Sequence, residues 1–172
     1  MKVLIDASEA YRNAMGIGRY SRAIIHHLQH PVLDIAYTSA DFASRQHAPL
    51  SRGKLARLKH FSQHVFLTQI APRRAARQHQ PDVFHSFSFF VPLESRVPSV
   101  ATIFDLAYFD LPDLTDRYWS AYARRMMPIF ARQAAAIVTT SNVMRQAIHE
   151  HFNIPLERIV RIYAGVANLI TR

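Results

Sequence analysis

The sequence predicts an α/β fold: a Rossmann-like three-layer sandwich on a mostly parallel sheet. Two observations carry this. Short apolar or β-branched runs alternate with amphipathic stretches along the chain, and capping or breaking residues stand where one type gives way to the other. Strands alternating with helices imply right-handed βαβ units covered on both faces. The 172 residues, 49% hydrophobic and 19% charged, suit one well-filled domain over 1–172 rather than two.

The elements follow in order. "KVLID" (Lys2–Asp6) holds a short apolar run and reads as a buried first strand. "GRYSRAIIHHLQH" repeats apolar residues at Tyr20, Ala23, Ile24 and Leu28, a helical spacing, with Pro31 just beyond its end. "VLDIAYT" reads as a second strand. "SRGKLARLKHFSQHVFL" begins as an amphipathic helix, and its last part, "HVFLT", has the look of a strand. "APRRAARQHQ" is a short helix with Pro72 in its first turn, where proline is tolerated. "DVFHS" and "SVATIF" are β-branched and aromatic runs suited to buried strands. "DRYWSAYARRMMPIFARQA" is a long helix in which Pro128 removes one internal hydrogen bond and should kink it. "AIVTT" is a strand, Ser141 can cap the helix "NVMRQAIHEHF", and "ERIVRIYAGV" is a last strand running into Gly165.

Composition narrows the function classes. No apolar run approaches the roughly 20 residues that span a bilayer, and "MKVLIDASEAYRN" turns polar too early for a secretory leader. The chain has no cysteine, which rules out disulfides and thiolate metal sites, and its ten histidines show no metal spacing. We therefore expect a cytoplasmic protein without a metal or other cofactor. The formal charge of +9 admits acidic partners. No carboxylate occurs from Phe42 to Pro81, whereas Arg45, Arg52, Lys54, Arg57, Lys59, Arg73, Arg74 and Arg77 all do. That interval reads as a solvated face or as a helix on an anionic membrane surface. A nucleic-acid site is disfavoured, because the aromatic interleaving such sites use is missing.

In parallel sheets ligands bind beyond the carboxyl ends of the strands, at the topological switch point. The candidates are thus "MGIGRY", "HSFSFF", "FDLAYFDLPDL" and the turn at Ser141. Gly16 and Gly18 are half of the four glycines. With Ser21 third, "GIGRYS" only half matches a dinucleotide fingerprint and stands too far from the first strand for one. Two glycines just before a helix either let bare N–H groups face an anion at the positive helix end or merely make a turn. Both readings stand. His85 and Asp105, each following a strand, offer an imidazole and a carboxylate for acid–base or hydroxyl-recognition work; without a third partner, a packing histidine and a turn-capping aspartate are the simpler reading. Ser141 reads first as a helix cap, and the acidic cluster Asp110, Asp113 and Asp116 as an exposed loop and helix start. There is no Walker loop and no G-x-S-x-G elbow.

Taken together, "GIGRYSRAIIHHL", "TIFDLAYFDLPDLT" and "ARQAAAIVTTSNVMRQAIHEHFNIPLERIVRIYAGV" resemble the family-four retaining glycosyltransferases of the GT-B fold, over essentially the whole chain. The resemblance is to the N-terminal, acceptor-side half alone; it implies that the C-terminal donor-binding domain lies outside this sequence and that the fragment is inactive alone. It also implies a nucleotide-sugar donor and a saccharide or lipid-linked acceptor, in polysaccharide or lipopolysaccharide synthesis at the inner membrane face. By the same resemblance Gly16, Gly18, Arg19 and Tyr20 belong to a glycine loop over the donor diphosphate. Asp105 is the Asp of a His-Asp-Leu triplet, the catalytic candidate, while His85 and Ser141 match further substrate-binding positions. The triplet's histidine is here Phe104, which can neither hydrogen-bond a sugar hydroxyl nor stabilise charge. The rival reading is a stand-alone, non-catalytic α/β module for a phosphorylated ligand.

Overall fold

Lys2–Asp6 forms strand β1, which buries Leu4, Ile5 and Asp6 at its carboxyl end. The computed structural model describes residues 1–12, 16–28, 33–38, 62 and 64–165. Within them five further strands follow: β2 (Asp34–Tyr37), β3 (Val83–Ser86), β4 (Ser99–Thr102), β5 (Ala136–Thr139) and β6 (Ile159–Arg161). All pairings are parallel and the order is β2-β1-β3-β4-β5-β6. The helices are α1 (Ser8–Arg12), α2 (Gly16–His27), α3 (Ala71–His79), α4 (Ala107–Asp110), α5 (Arg117–Gln133) and α6 (Asn142–Phe152). A parallel sheet flanked by helices is the Rossmann-like three-layer arrangement that the alternation of runs predicts.

The order sets where a ligand can enter. From β1 the chain steps outward to β2, then returns to place β3 on the other side of β1. The connections from β1 and β3 therefore diverge, which opens a crevice beyond their carboxyl ends. Buried polar groups fix the rim of that crevice. Asp6 Oδ1 accepts from the Ser8 amide at 3.0 Å and from Thr38 Oγ1 at 3.1 Å, and Thr38 Oγ1 accepts from the Ala7 amide at 3.1 Å. The carboxylate thus starts α1 and joins the ends of β1 and β2.

The larger part of the core lies between β4, β5, β6 and helices α5 and α6. Phe130, Ile137, Ile148 and Phe152 are fully buried there, each worth about 1.5–3 kcal/mol of burial. α5 buries Ser120, Ala123, Met127, Phe130 and Ala131, one helical face. It begins at Asp116, whose carboxylate accepts from the Trp119 amide at 2.9 Å, and is helical through Pro128. The carbonyl that Pro128 leaves without an internal donor belongs to the exposed Arg124, where water can reach it. Ser141 caps α6 through the Met144 amide at 3.0 Å. Arg145 ties α6 to the final strand by bonding the carbonyls of Ile159 and Leu156, both at 2.8 Å.

Three expectations need correction. "HVFLT" is helical: Phe66–Ile70 is a π-helical turn continuing directly into α3. The buried positions His64, Leu67, Thr68 and Pro72 recur at helical spacing, and a strand would have buried alternate residues instead. Thr68 Oγ1 also bonds the His64 carbonyl at 2.9 Å, a contact only a helix permits. Secondly, Gly16 and Gly18 do not precede the helix; they lie within the first turn of α2, and no described glycine has positive φ. The buried face of α2 centres on Gly18 and Ser21, with Ala23 exposed, because small residues let the helix lie close. Thirdly, the stretch after Asp105 is no open loop, since α4 and a 3₁₀ turn at Pro112–Leu114 occupy it. Asp110, Asp113 and Asp116 are exposed there as expected. Most of the basic stretch proposed as a membrane-surface helix lies outside the described residues.

Candidate functional site

Beyond the carboxyl ends of β3 and β4 lies a cavity of about 250 Å³. Its floor is Ser88 with Thr102 and Ile103. One wall comes from Glu9 of α1 and Ile17 of α2, and the other from Phe104, Asp105, Tyr108 and Trp119. The loop after β3 reaches this floor because its serines replace missing backbone partners. Ser86 and Ser88 hydroxyls bond each other at 3.1 Å, and the Ser88 and Phe90 amides donate to Ser86 Oγ and Ser88 Oγ at 3.2 and 3.4 Å. These short side-chain bonds add to a backbone bond from the Thr102 amide of β4 to the Ser88 carbonyl at 3.0 Å.

An aromatic clasp fastens α2 over the sheet edge. The Tyr20 ring meets Phe104 edge-on at 5.0 Å and 80°, and Phe87 at 5.9 Å and 83°. One side chain of α2 therefore holds both the loop after β3 and the loop after β4. Burial pushes the Tyr20 phenol pKa up. A Cβ built on Gly16 would meet nothing within 4 Å, so no neighbour within the described chain requires glycine there.

The residues singled out from the sequence are partly brought together. Asp105 lines the cavity and is exposed; its Oδ1 also accepts from the Ala107 amide at 3.1 Å, the turn-capping role. His85 sits within β3, one side chain behind the cavity. Its Nε2 lies 3.3 Å from Oγ1 of the lining Thr102, and its ring packs on Phe87 at 5.0 Å. Burial pushes the His85 pKa down to about 4, so the imidazole is neutral at physiological pH. His85 and Asp105 do not contact each other: one bonds Thr102 and the other its own turn. Gly16 and Arg19 are exposed on the first turn of α2, whereas Gly18 is buried beneath it. Ser141 is apart from the cavity and serves as the α6 cap.

Reading the sequence alone missed Glu9, Tyr108 and Trp119. Trp119 Nε1, a donor only, gives its hydrogen to Tyr108 Oη at 2.8 Å. The Tyr108 phenol hydrogen donates to no described group and can turn toward a ligand. Burial raises the Tyr108 pKa, the Trp119 bond opposes this, and the charges of Asp105 and Glu9 add to the rise. No local motif marks these side chains; the aromatic residues that follow "FDL" were the available signal.

Among the described residues no three His, Asp or Glu side chains are grouped to hold a metal ion, and no helix is long and apolar enough to cross a membrane. A doubly wound parallel sheet with a cavity beyond the carboxyl ends of its strands is the arrangement in which α/β domains bind ligands. The family follows from sequence comparison: residues 15–167 match Glycosyltransferase Family 4, and the chain belongs to that family. No curated protein gives a significant match to the chain.

Proposed function

We propose that this domain is the acceptor side of a retaining hexosyltransferase that uses a nucleotide-sugar donor. The observation supporting it is that, in a family-4 domain, the first turn of α2 and the Phe104–Asp105 loop face each other across one cavity. In this reading the acceptor sugar occupies the cavity and Asp105 orients its attacking hydroxyl. Gly16, Gly18, Arg19 and Tyr20 belong to the helix end that meets the donor diphosphate, where unpaired N–H groups and the dipole favour negative charge. His85 supports the floor through Thr102, and Ser141, while accepting in its cap, keeps a hydroxyl hydrogen to donate. A second Rossmann-like domain brings the donor, without a metal.

Retention follows from front-face attack. The bond between the anomeric carbon and the diphosphate oxygen breaks, and its electron pair stays with the diphosphate. The acceptor oxygen bonds to the same face of the carbon, and its proton passes to the departing phosphate oxygen. The helix end stabilises that leaving charge. We place the reaction in surface polysaccharide or lipopolysaccharide assembly at the inner membrane face, a reading that rests on the acid-free basic interval. Indifference of the chain to anionic lipid in liposome sedimentation would remove that placement.

Trp119 is the only tryptophan and lines the cavity, so its fluorescence reports occupancy. Titration of the chain with oligosaccharides should change that fluorescence, nucleotide sugars alone should do so weakly, and the chain alone should transfer no sugar. Tight nucleotide-sugar binding with no response to any saccharide would assign this domain to the donor instead.

A further inference from the structure

The chain carries a formal charge of +9, yet the cavity has the opposite character. Its described lining holds two carboxylates, Glu9 and Asp105, and no lysine, arginine or histidine. The rest of its wall is largely aromatic or aliphatic, with Phe104, Tyr108 and Trp119 on the same wall as Asp105. Aromatic faces suit the C–H face of a sugar ring, and also attract a cation lying over them. Carboxylates accept hydrogen bonds from hydroxyls and ammonium groups, and they repel phosphate and uronate. The phenol of Tyr108 is the complementary donor, since Trp119 already occupies its oxygen as an acceptor.

We propose that the sugar unit entering this cavity carries no negative charge, and that an amino sugar is its best occupant. The inference rests on the acceptor-side reading above and adds a charge rule to it. The basic surplus of the chain then belongs to other surfaces, and an acceptor that bears phosphate keeps that group outside the cavity. Tyr108 also registers the field: its phenol pKa is raised mainly by burial and further by Asp105 and Glu9, so both carboxylates act on the same point of the wall.

The test uses four ligands of similar size, a neutral hexose, a 2-amino hexose, a uronate and a hexose phosphate, each titrated into the 172-residue chain and followed by Trp119 fluorescence. The amino sugar should bind most tightly and the two anions about tenfold or more weakly than the neutral sugar, given two carboxylates across a half-open site. Raising the salt concentration should narrow these differences. In the Glu9→Gln, Asp105→Asn double variant the penalty on the anions should shrink by about tenfold, while the Asn side chain keeps an oxygen for the Ala107 amide. Circular dichroism of the variant checks that it folds, and Glu9→Gln alone, which leaves that turn untouched, should show part of the same change. Anions that bind as well as the neutral sugar, or better, overturn the charge rule and leave the acceptor reading intact. No response to any of the four, with a response to nucleotide sugars, overturns both.

Discussion

The contact between Tyr20 and Phe104 should couple the stability of α2 to that of the loop carrying Asp105. An edge-to-face pair at 5.0 Å and 80° is near the optimum for such rings, and is worth about 0.5–1.5 kcal/mol beyond the area it buries. Tyr20→Leu and Phe104→Leu keep apolar bulk but remove the ring geometry, so each should destabilise the chain by about 1–2 kcal/mol. The double variant should cost less than the two together, with a coupling of about 1 kcal/mol. Urea unfolding monitored at Trp119 gives the three values. With a slope of about 1–3 kcal/mol per molar urea, a 1 kcal/mol change moves the midpoint by about 0.3–1 M, which is measurable. A control cycle pairs Tyr20→Leu with Phe152→Leu in the core between α5 and α6, where simple additivity is expected. Coupling for Tyr20 and Phe104 no larger than in that control would refute the clasp.

Three further outcomes follow from single side chains. His85 has a pKa of about 4 when folded against 6.5 when free, so the unfolded chain takes up the proton first as pH falls. Its contribution is whole above pH 6.5 and is lost toward pH 4, a loss of up to about 3 kcal/mol; His85→Gln should flatten that slope in urea titrations at several pH values, and an unchanged slope would refute the assignment. Ser141→Ala should cost about 1 kcal/mol in thermal or urea unfolding while Ser141→Asp recovers most of it, the signature of a cap. Asp6→Ala should destabilise by about 1–3 kcal/mol because it strips the Ser8 amide and the Thr38 hydroxyl of a buried acceptor. Asp6→Asn should cost clearly less, and equal losses for the two would show that a hydrogen-bond acceptor is not what the site needs.

What could be read in advance was local. β1 announced itself by a short apolar run and α6 by a serine cap ahead of a helical stretch, while the left-handed Asn153 that closes α6 came only from the structure. The run at 64–68 defeated the same logic, because a short apolar stretch fits either period and only the burial of Leu67 and Thr68 together decides for a helix. Glycine misled in another way. Two glycines suggested a loop or turn ahead of the helix, but they lie within the first turn of α2. The cavity itself was legible only as a set of loops, since Glu9, Tyr108 and Trp119 meet there through packing that leaves no spacing in the chain.

Phe104 stands where the resemblance to the family expects a histidine, and the structure gives the exchange a physical meaning. A histidine at the cavity wall would add a hydrogen-bonding and titratable group, whereas Phe104 adds an apolar face and fastens Tyr20. Of the described imidazoles, His85 is kept neutral by burial and bonds the lining Thr102, and His64 packs edge-on against the lining Phe90 and Trp119; neither lines the cavity itself. Charge at this wall is therefore set by Glu9 and Asp105 alone among the described lining residues. With no imidazole in its described lining, the wall in the proposed reading holds and orients a hydroxyl-bearing ring, and stabilisation of a leaving diphosphate falls to the N-terminal turn of α2. The clasp then links the two tasks mechanically: Tyr20 sits on that helix, and its ring rests on the residue beside Asp105.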